Sequence, residues 1–152
     1  VNGNAYSQAV MDLLKDSDAL VLVVAGKLEA EIADLDSVED REVFLEDAGL
    51  TEPGVDRMIR AAYDMLNLMS FFTAGPKEVK AWTIKKGMTA PQAAGVIHSD
   101  LERGFIRAEV LKYNDMVELG SESACKEKGK LFVEGKTYVV QDGDILNIRF
   151  NV

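Results

Sequence analysis

The sequence predicts an α+β chain in two unequal parts, and three observations predict it. The run of residues 19–25, Ala-Leu-Val-Leu-Val-Val-Ala, is unbroken by polar residues and flanked by helical patterns, as in a strand covered on both faces. From Ser70 onward, short β-rich segments alternate with turn signals and one well-capped helix. Charge divides along the same line. Residues 1–67 hold 5 Lys and Arg against 15 Asp and Glu, and residues 68–152 hold 12 against 11, which together give the net charge of -9. A boundary near Leu66-Asn67-Leu68 follows, with candidate domains 1–67 and 68–152.

In the first part, Ala5, Ala9, Val10, Leu13 and Leu14 share one helical face, predicting a helix over 5–15. The strand over 19–24 needs neighbours on both sides, and none precedes Ser70. It is therefore expected to complete a sheet whose other strands lie outside this chain; the alternatives are pairing with the second part or with another copy. Ala25-Gly26-Lys27-Leu28-Glu29 opens the next helix. Ser37, with Asp40 three residues on, resembles a capping box before Val43-Phe44-Leu45. Pro53-Gly54 punctuates, and Val55, Met58, Ile59, Ala62 and Leu66 form the stripe of a last helix.

In the second part, Phe71-Phe72-Thr73 and residues 78–84 predict a hairpin around Gly75-Pro76. Thr89 suits an N-cap, Gln92 completes its capping box and Pro91 is tolerated in the first turn. Ala93, Ala94, Val96 and Ile97 turn toward the sheet in a helix ending before Gly104. A third strand over 105–110, a polar helical region over 115–128 and a short edge over 131–133 come next. Tyr138-Val139-Val140 and residues 145–150 predict a closing hairpin around Asp142-Gly143. Strand, strand, helix, strand and final hairpin is the β-grasp (ubiquitin-like) order.

Few residues carry obvious chemistry. Cys125 is the only cysteine and His98 the only histidine, so no disulfide, metal cluster or histidine relay is expected; His98 is read as capping a helix end. Asp142 and Asp144 flank a glycine, which favours a turn over a metal site, and Trp82 in a strand favours packing over base stacking. No G-x-x-x-x-G-K-[ST] is present to cradle phosphates, so the chain alone is not expected to hydrolyse a nucleotide. No apolar run approaches the roughly 20 residues that cross a bilayer, and no leader is recognisable, which predicts a cytoplasmic protein. The acidic first part is unsuited to phosphate backbones. In the second part Lys77, Lys80, Lys85 and Lys86 cluster in sequence, with Arg103 and Arg107 as candidates to join them. They read either as an ordinary solvated face or as an RNA-facing patch.

Phe71-Phe72-Thr73, Lys86-Gly87-x-Thr89 and Ile97-His98 resemble the TGS domain. The longer wording A-G-P-K-E-V-x-A-W-T-I-x-K-G and A-P-Q-A-A-G-V-I-H-x-D resembles the YchF/Obg-like ATPase family, whose members carry this module after a P-loop nucleotide-binding domain. The resemblance implies a β-grasp TGS domain preceded by the helical and single-strand remnant of an α/β P-loop NTPase domain. It implies a parent that hydrolyses ATP, or GTP, with Mg²⁺, although this chain by itself would hold no cofactor. The implied partners are the upstream nucleotide-binding domain and, through the TGS domain, the ribosome or RNA, with neither membrane nor DNA. The family's base-contacting loop reads roughly Ser/Cys-Ala/Gly-x-x-Glu, which Ala25-Gly26-Lys27-Leu28-Glu29 matches in its second and last places. This implies backbone contacts to the base from Ala25, Gly26 and Lys27, without the hydroxyl or thiol that Ala25 replaces. The family's Asn-x-x-Glu/Asp is not supplied by Asn2 or Asn4. The alternative is a stand-alone β-grasp module that binds protein or RNA without nucleotide chemistry.

Overall fold

The computed structural model describes residues 4–75 and 78–151, so Asn2, Pro76 and Lys77 lie outside the described residues. The chain divides into two compact units, up to Ala61 and from Ala62 onward. No helix among the described residues is long and apolar enough to cross a membrane.

The first unit is helical. Asn4 caps α1 (Ala5–Leu14), its Oδ1 accepting from the Ser7 amide at 2.9 Å. Next come α2 (Gly26–Ala33), α3 (Val38–Asp47) and α4 (Gly54–Met65), which extends past Ala61. Ser37 caps α3 through the Asp40 amide at 2.9 Å, as its spacing predicts. The strand expected over 19–24 does not form. Residues 18–25 have no regular secondary structure, and Val23 is 59% exposed. A strand exists only by sharing its amides and carbonyls with a neighbour, and no described segment offers one. The apolar stripe of α4 is likewise uncovered at Val55, Met58 and Ile59. Of the large apolar side chains described in this unit, Ile32 and Leu45 are the buried ones.

The second unit is a five-stranded sheet with helices on it. Strands β1 (Leu68–Ala74) and β2 (Val79–Lys85) form the expected hairpin, pairing Leu68 with Lys85 and Ala74 with Val79. Helix α5 (Ala90–Ile97) follows, with the Gln92 Oε1 accepting from the Thr89 amide at 2.8 Å. The single helix expected up to Gly104 is two. His98 leaves helical geometry at φ -163°, ψ 141° and starts α6 (Ser99–Arg103), its Nδ1 accepting from the Asp100 amide at 3.2 Å. Strand β3 (Phe105–Lys112) leads to α7 (Tyr113–Leu119) and α8 (Glu122–Glu127), where one polar helical region was expected. Gly120, left-handed at φ 74°, separates them. Strands β4 (Phe132–Glu134) and β5 (Asp144–Phe150) complete the order β2-β1-β5-β3-β4, with β1 and β5 parallel.

The closing hairpin is a second correction. Residues 138–140 do not pair with β5. The Ala90 amide donates to the Tyr138 carbonyl at 2.8 Å and the Val140 amide to that of Met88 at 3.0 Å, so this segment joins the start of α5 instead. The core lies between α5 and one sheet face. Phe71, Val110, Val140 and Leu146 are fully buried there, and Ala90, Ala93 and Ala94 let the helix approach closely. Burying each of the larger side chains stabilises the fold by about 1.5–3 kcal/mol.

Candidate functional site

At the head of α2, Ala25 adopts φ -87°, ψ 61°, close to an inverse γ-turn. Its amide donates to Glu29 Oε1 at 3.0 Å, one turn into the helix. Glu29 Oε2 also accepts from the Gly54 amide at the start of α4, and Arg57 Nη2 lies 3.7 Å from Oε1. The same Nη2 donates to the Val23 carbonyl at 3.0 Å. One carboxylate and one guanidinium therefore fasten both ends of residues 23–25 to α4. The amides of Gly26 and Lys27 head the helix, where backbone donors have no partner in the preceding turn. Both residues are exposed, and Lys27 makes only a loose pair with Glu31 at 3.9 Å. A Cβ added to Gly26 would meet nothing within 4 Å, so packing inside this unit does not demand glycine there.

Among the described residues the basic side chains do not converge. Successive strand residues point to opposite faces. Lys80 shares the core-side face with Trp82 and Ile84, its ammonium 4.0 Å from the Trp82 ring centroid. Lys85 lies on the other face, level with Leu68. Lys86 pairs with Asp64 at 2.8 Å. Arg107 shares the face of Lys85 but lies two intervening strands away from it, opposite Arg149 of the adjacent β5, at the other end of the sheet. Arg103 is bound to Asp100 at 2.6 Å. Trp82 packs against the core, as expected, with Nε1 donating to Thr73 Oγ1 at 3.0 Å.

The two aspartates of the 142–144 turn serve separate partners. Asp142 Oδ1 accepts from the Ser70 amide at 2.9 Å, and Gly143, at φ 77°, donates to the Ser70 carbonyl at 2.8 Å. Asp144 is fully buried and accepts from Lys112 Nζ at 2.6 Å, Tyr138 OH at 2.6 Å and the Gln141 amide at 2.8 Å. Burial pushes the Lys112 ammonium toward neutrality, but its hydrogen bonds to Asp144 and Tyr138 and the aspartate's charge outweigh this, so its pKa is raised. Burial, then the bond to Asp144, also raises the pKa of Tyr138 against the opposing pull of Lys112. Sequence reading missed this cluster and the Glu29–Gly54–Arg57 link. The Asp-Gly turn hinted at the first, whereas the second joins residues too far apart to carry a local signal.

The YchF-GTPase_C family, described as a protein of unknown function (DUF933), matches residues 68–151. This chain belongs to the YchF family. It is 51% identical over 149 residues to the ribosome-binding ATPase YchF of Haemophilus influenzae, covering 98% of this chain and 41% of that protein. To the ribosome-binding ATPase YchF of Bacillus subtilis it is 50% identical over 151 residues, covering 99% and 41%. The solved YchF GTPase of Schizosaccharomyces pombe superposes with a TM-score of 0.78 at 33% identity, covering 96% of this chain and 39% of that one. The chain thus spans about two-fifths of the length of the YchF relatives it matches.

Proposed function

We propose that this chain supplies two working parts of a nucleotide-dependent, ribosome-associated YchF protein. One is a turn formed by Ala25, Gly26 and Lys27 that lies against the nucleotide base; the other is a β-grasp TGS module within residues 68–152 that engages the ribosome or its RNA. Residues 1–67 belong, in this reading, to the nucleotide-binding domain, and the unpaired segment 19–24 takes its place in that domain's sheet. The observation that carries the reading is the 51% identity over 98% of the chain to a relative named for ribosome binding and ATP hydrolysis. The strand order β2-β1-β5-β3-β4, with α5 packed on one face, supports the β-grasp assignment.

ATP or GTP with Mg²⁺ is the expected ligand of the whole protein. The residues here fit only its base, since the sequence holds no glycine-rich phosphate loop. The chain by itself is accordingly inactive as an ATPase, and the whole protein works in the cytoplasm.

Co-sedimentation with ribosomes tests the proposal. The chain is expected to pellet with ribosomes at low salt and to release as salt rises. Because the described cations lie on two faces, two charge reversals are compared, Lys85→Glu with Arg107→Glu on one sheet face and Lys80→Glu on the other. The reversal that abolishes pelleting marks the ribosome-facing side. Pelleting unchanged by both would remove the basic residues from the contact, and no pelleting of the unmodified chain would remove the module's proposed role.

A further inference from the structure

The geometry points to Glu29 as the positioning residue of the base turn, a role that rests on the base-loop reading above. Three groups converge on its carboxylate: the Ala25 amide at 3.0 Å, the Gly54 amide and the Arg57 guanidinium at 3.7 Å. Only 12% of the Glu29 side chain is exposed, and its bond to the Gly54 amide is partly buried, whereas its bond to the Ala25 amide lies at the surface.

The arrangement is over-determined. A Cβ at Gly54 would fall 2.6 Å from Glu29 Oε2 and 2.9 Å from Oε1, so the carboxylate would have to move out of this position. Among the described residues the buried Nε of Arg57 finds no hydrogen-bond partner, while its Nη2 holds the Val23 carbonyl. Glu29 thus takes the Ala25 amide out of use as a ligand donor and turns the backbone so that the Gly26 and Lys27 amides lead the helix outward. A base bound against this turn would meet the amides of residues 26 and 27, while the Ala25 amide serves only to aim them. Glu29 acts through the backbone and does not itself touch the base.

Two measurements separate this inference from the reading beneath it. In this chain, amide hydrogen exchange at Ala25 reports the anchor directly. Glu29→Ala is expected to accelerate it strongly, and Gly54→Ala, which displaces the carboxylate from the other side, is expected to do the same. Glu29→Gln keeps one acceptor and should fall between. In the full-length protein, Glu29→Ala is expected to weaken ATP binding about tenfold, the loss of one charge-assisted contact, while inorganic tripolyphosphate, which has no base, binds as before. Unchanged exchange at Ala25 would overturn the positioning role whatever the turn binds. Faster exchange with unchanged ATP affinity would overturn the base-loop reading and the inference with it. Equal weakening of ATP and tripolyphosphate would mean general damage to the fold and would also overturn the assignment.

Discussion

Replacing Asp144 with alanine should unfasten the second unit, and the size of the effect can be worked from its contacts. The substitution takes the acceptor from the Gln141 amide and the Tyr138 hydroxyl, whose bonds to Asp144 are partly buried. Each such orphan costs about 1–3 kcal/mol. Lys112 adds less, since its side chain is 40% exposed and its ammonium can turn to water. Two partly shielded orphans toward the lower end of that range, with a small addition from Lys112, give an expected loss of about 3 kcal/mol. For a unit of about 90 residues this lowers the melting temperature by roughly 12–24 °C. Trp82 is the only tryptophan of the sequence and packs against this core, so urea unfolding followed by its fluorescence isolates the unit. The pH dependence offers a second check. Lys112 and Tyr138 both have raised pKa values, so each keeps its proton longer in the folded chain than in the unfolded one. Their contribution is complete below about pH 10 and is lost as pH climbs through the folded values. The urea midpoint of the unmodified chain should fall above about pH 10, and Asp144→Ala should flatten that fall. A loss below about 1 kcal/mol at pH 7 together with an unchanged alkaline profile would refute the reasoning.

Cys125 is fully buried beside the Asp115 carbonyl, so a thiol reagent should label it only as denaturant opens the unit; labelling at the rate of a free thiol in native buffer would contradict that burial. Gly104→Ala would drive a Cβ onto the backbone carbonyl of Asn151, whose amide donates to the Gly104 carbonyl at 2.9 Å. A cost of about 2 kcal/mol is expected in the same fluorescence assay, and an unshifted midpoint would mean the chain end yields freely.

Local chemistry was legible in the sequence wherever its partner was a few residues away. Ser37, Thr89 with Gln92, the β1–β2 hairpin and the αL turn at Gly143 all follow from residue type and short spacing. The sequence marks His98 as a helix-end residue but not as the joint between two helices, because nothing nearby signals that its backbone turns extended. The hairpin expected at residues 138–140 failed for a long-range reason. Asp142 and Gly143 bind Ser70, seventy-odd positions earlier, and the carboxylate of Asp144 ties Tyr138 to Lys112, which steers the segment onto α5. Residues 19–24 look like a strand because their side chains suit one; whether a strand forms depends on a neighbour's amides, which no residue in the segment can specify. The candidate base turn was visible as a motif, while its fastening by Gly54 and Arg57 was not.

The strand order has a consequence for how this module comes into being. The central member of the sheet, β5, follows the other described strands in sequence and is inserted between β1 and β3. Until it arrives, the β1–β2 ribbon and the β3–β4 pair have no shared partner, and the interior side chains of both remain wetted. The sheet therefore waits for β5 before condensing cooperatively, and a protease nick between Glu134 and Asp144 would unzip the structure from its middle rather than fray its rim.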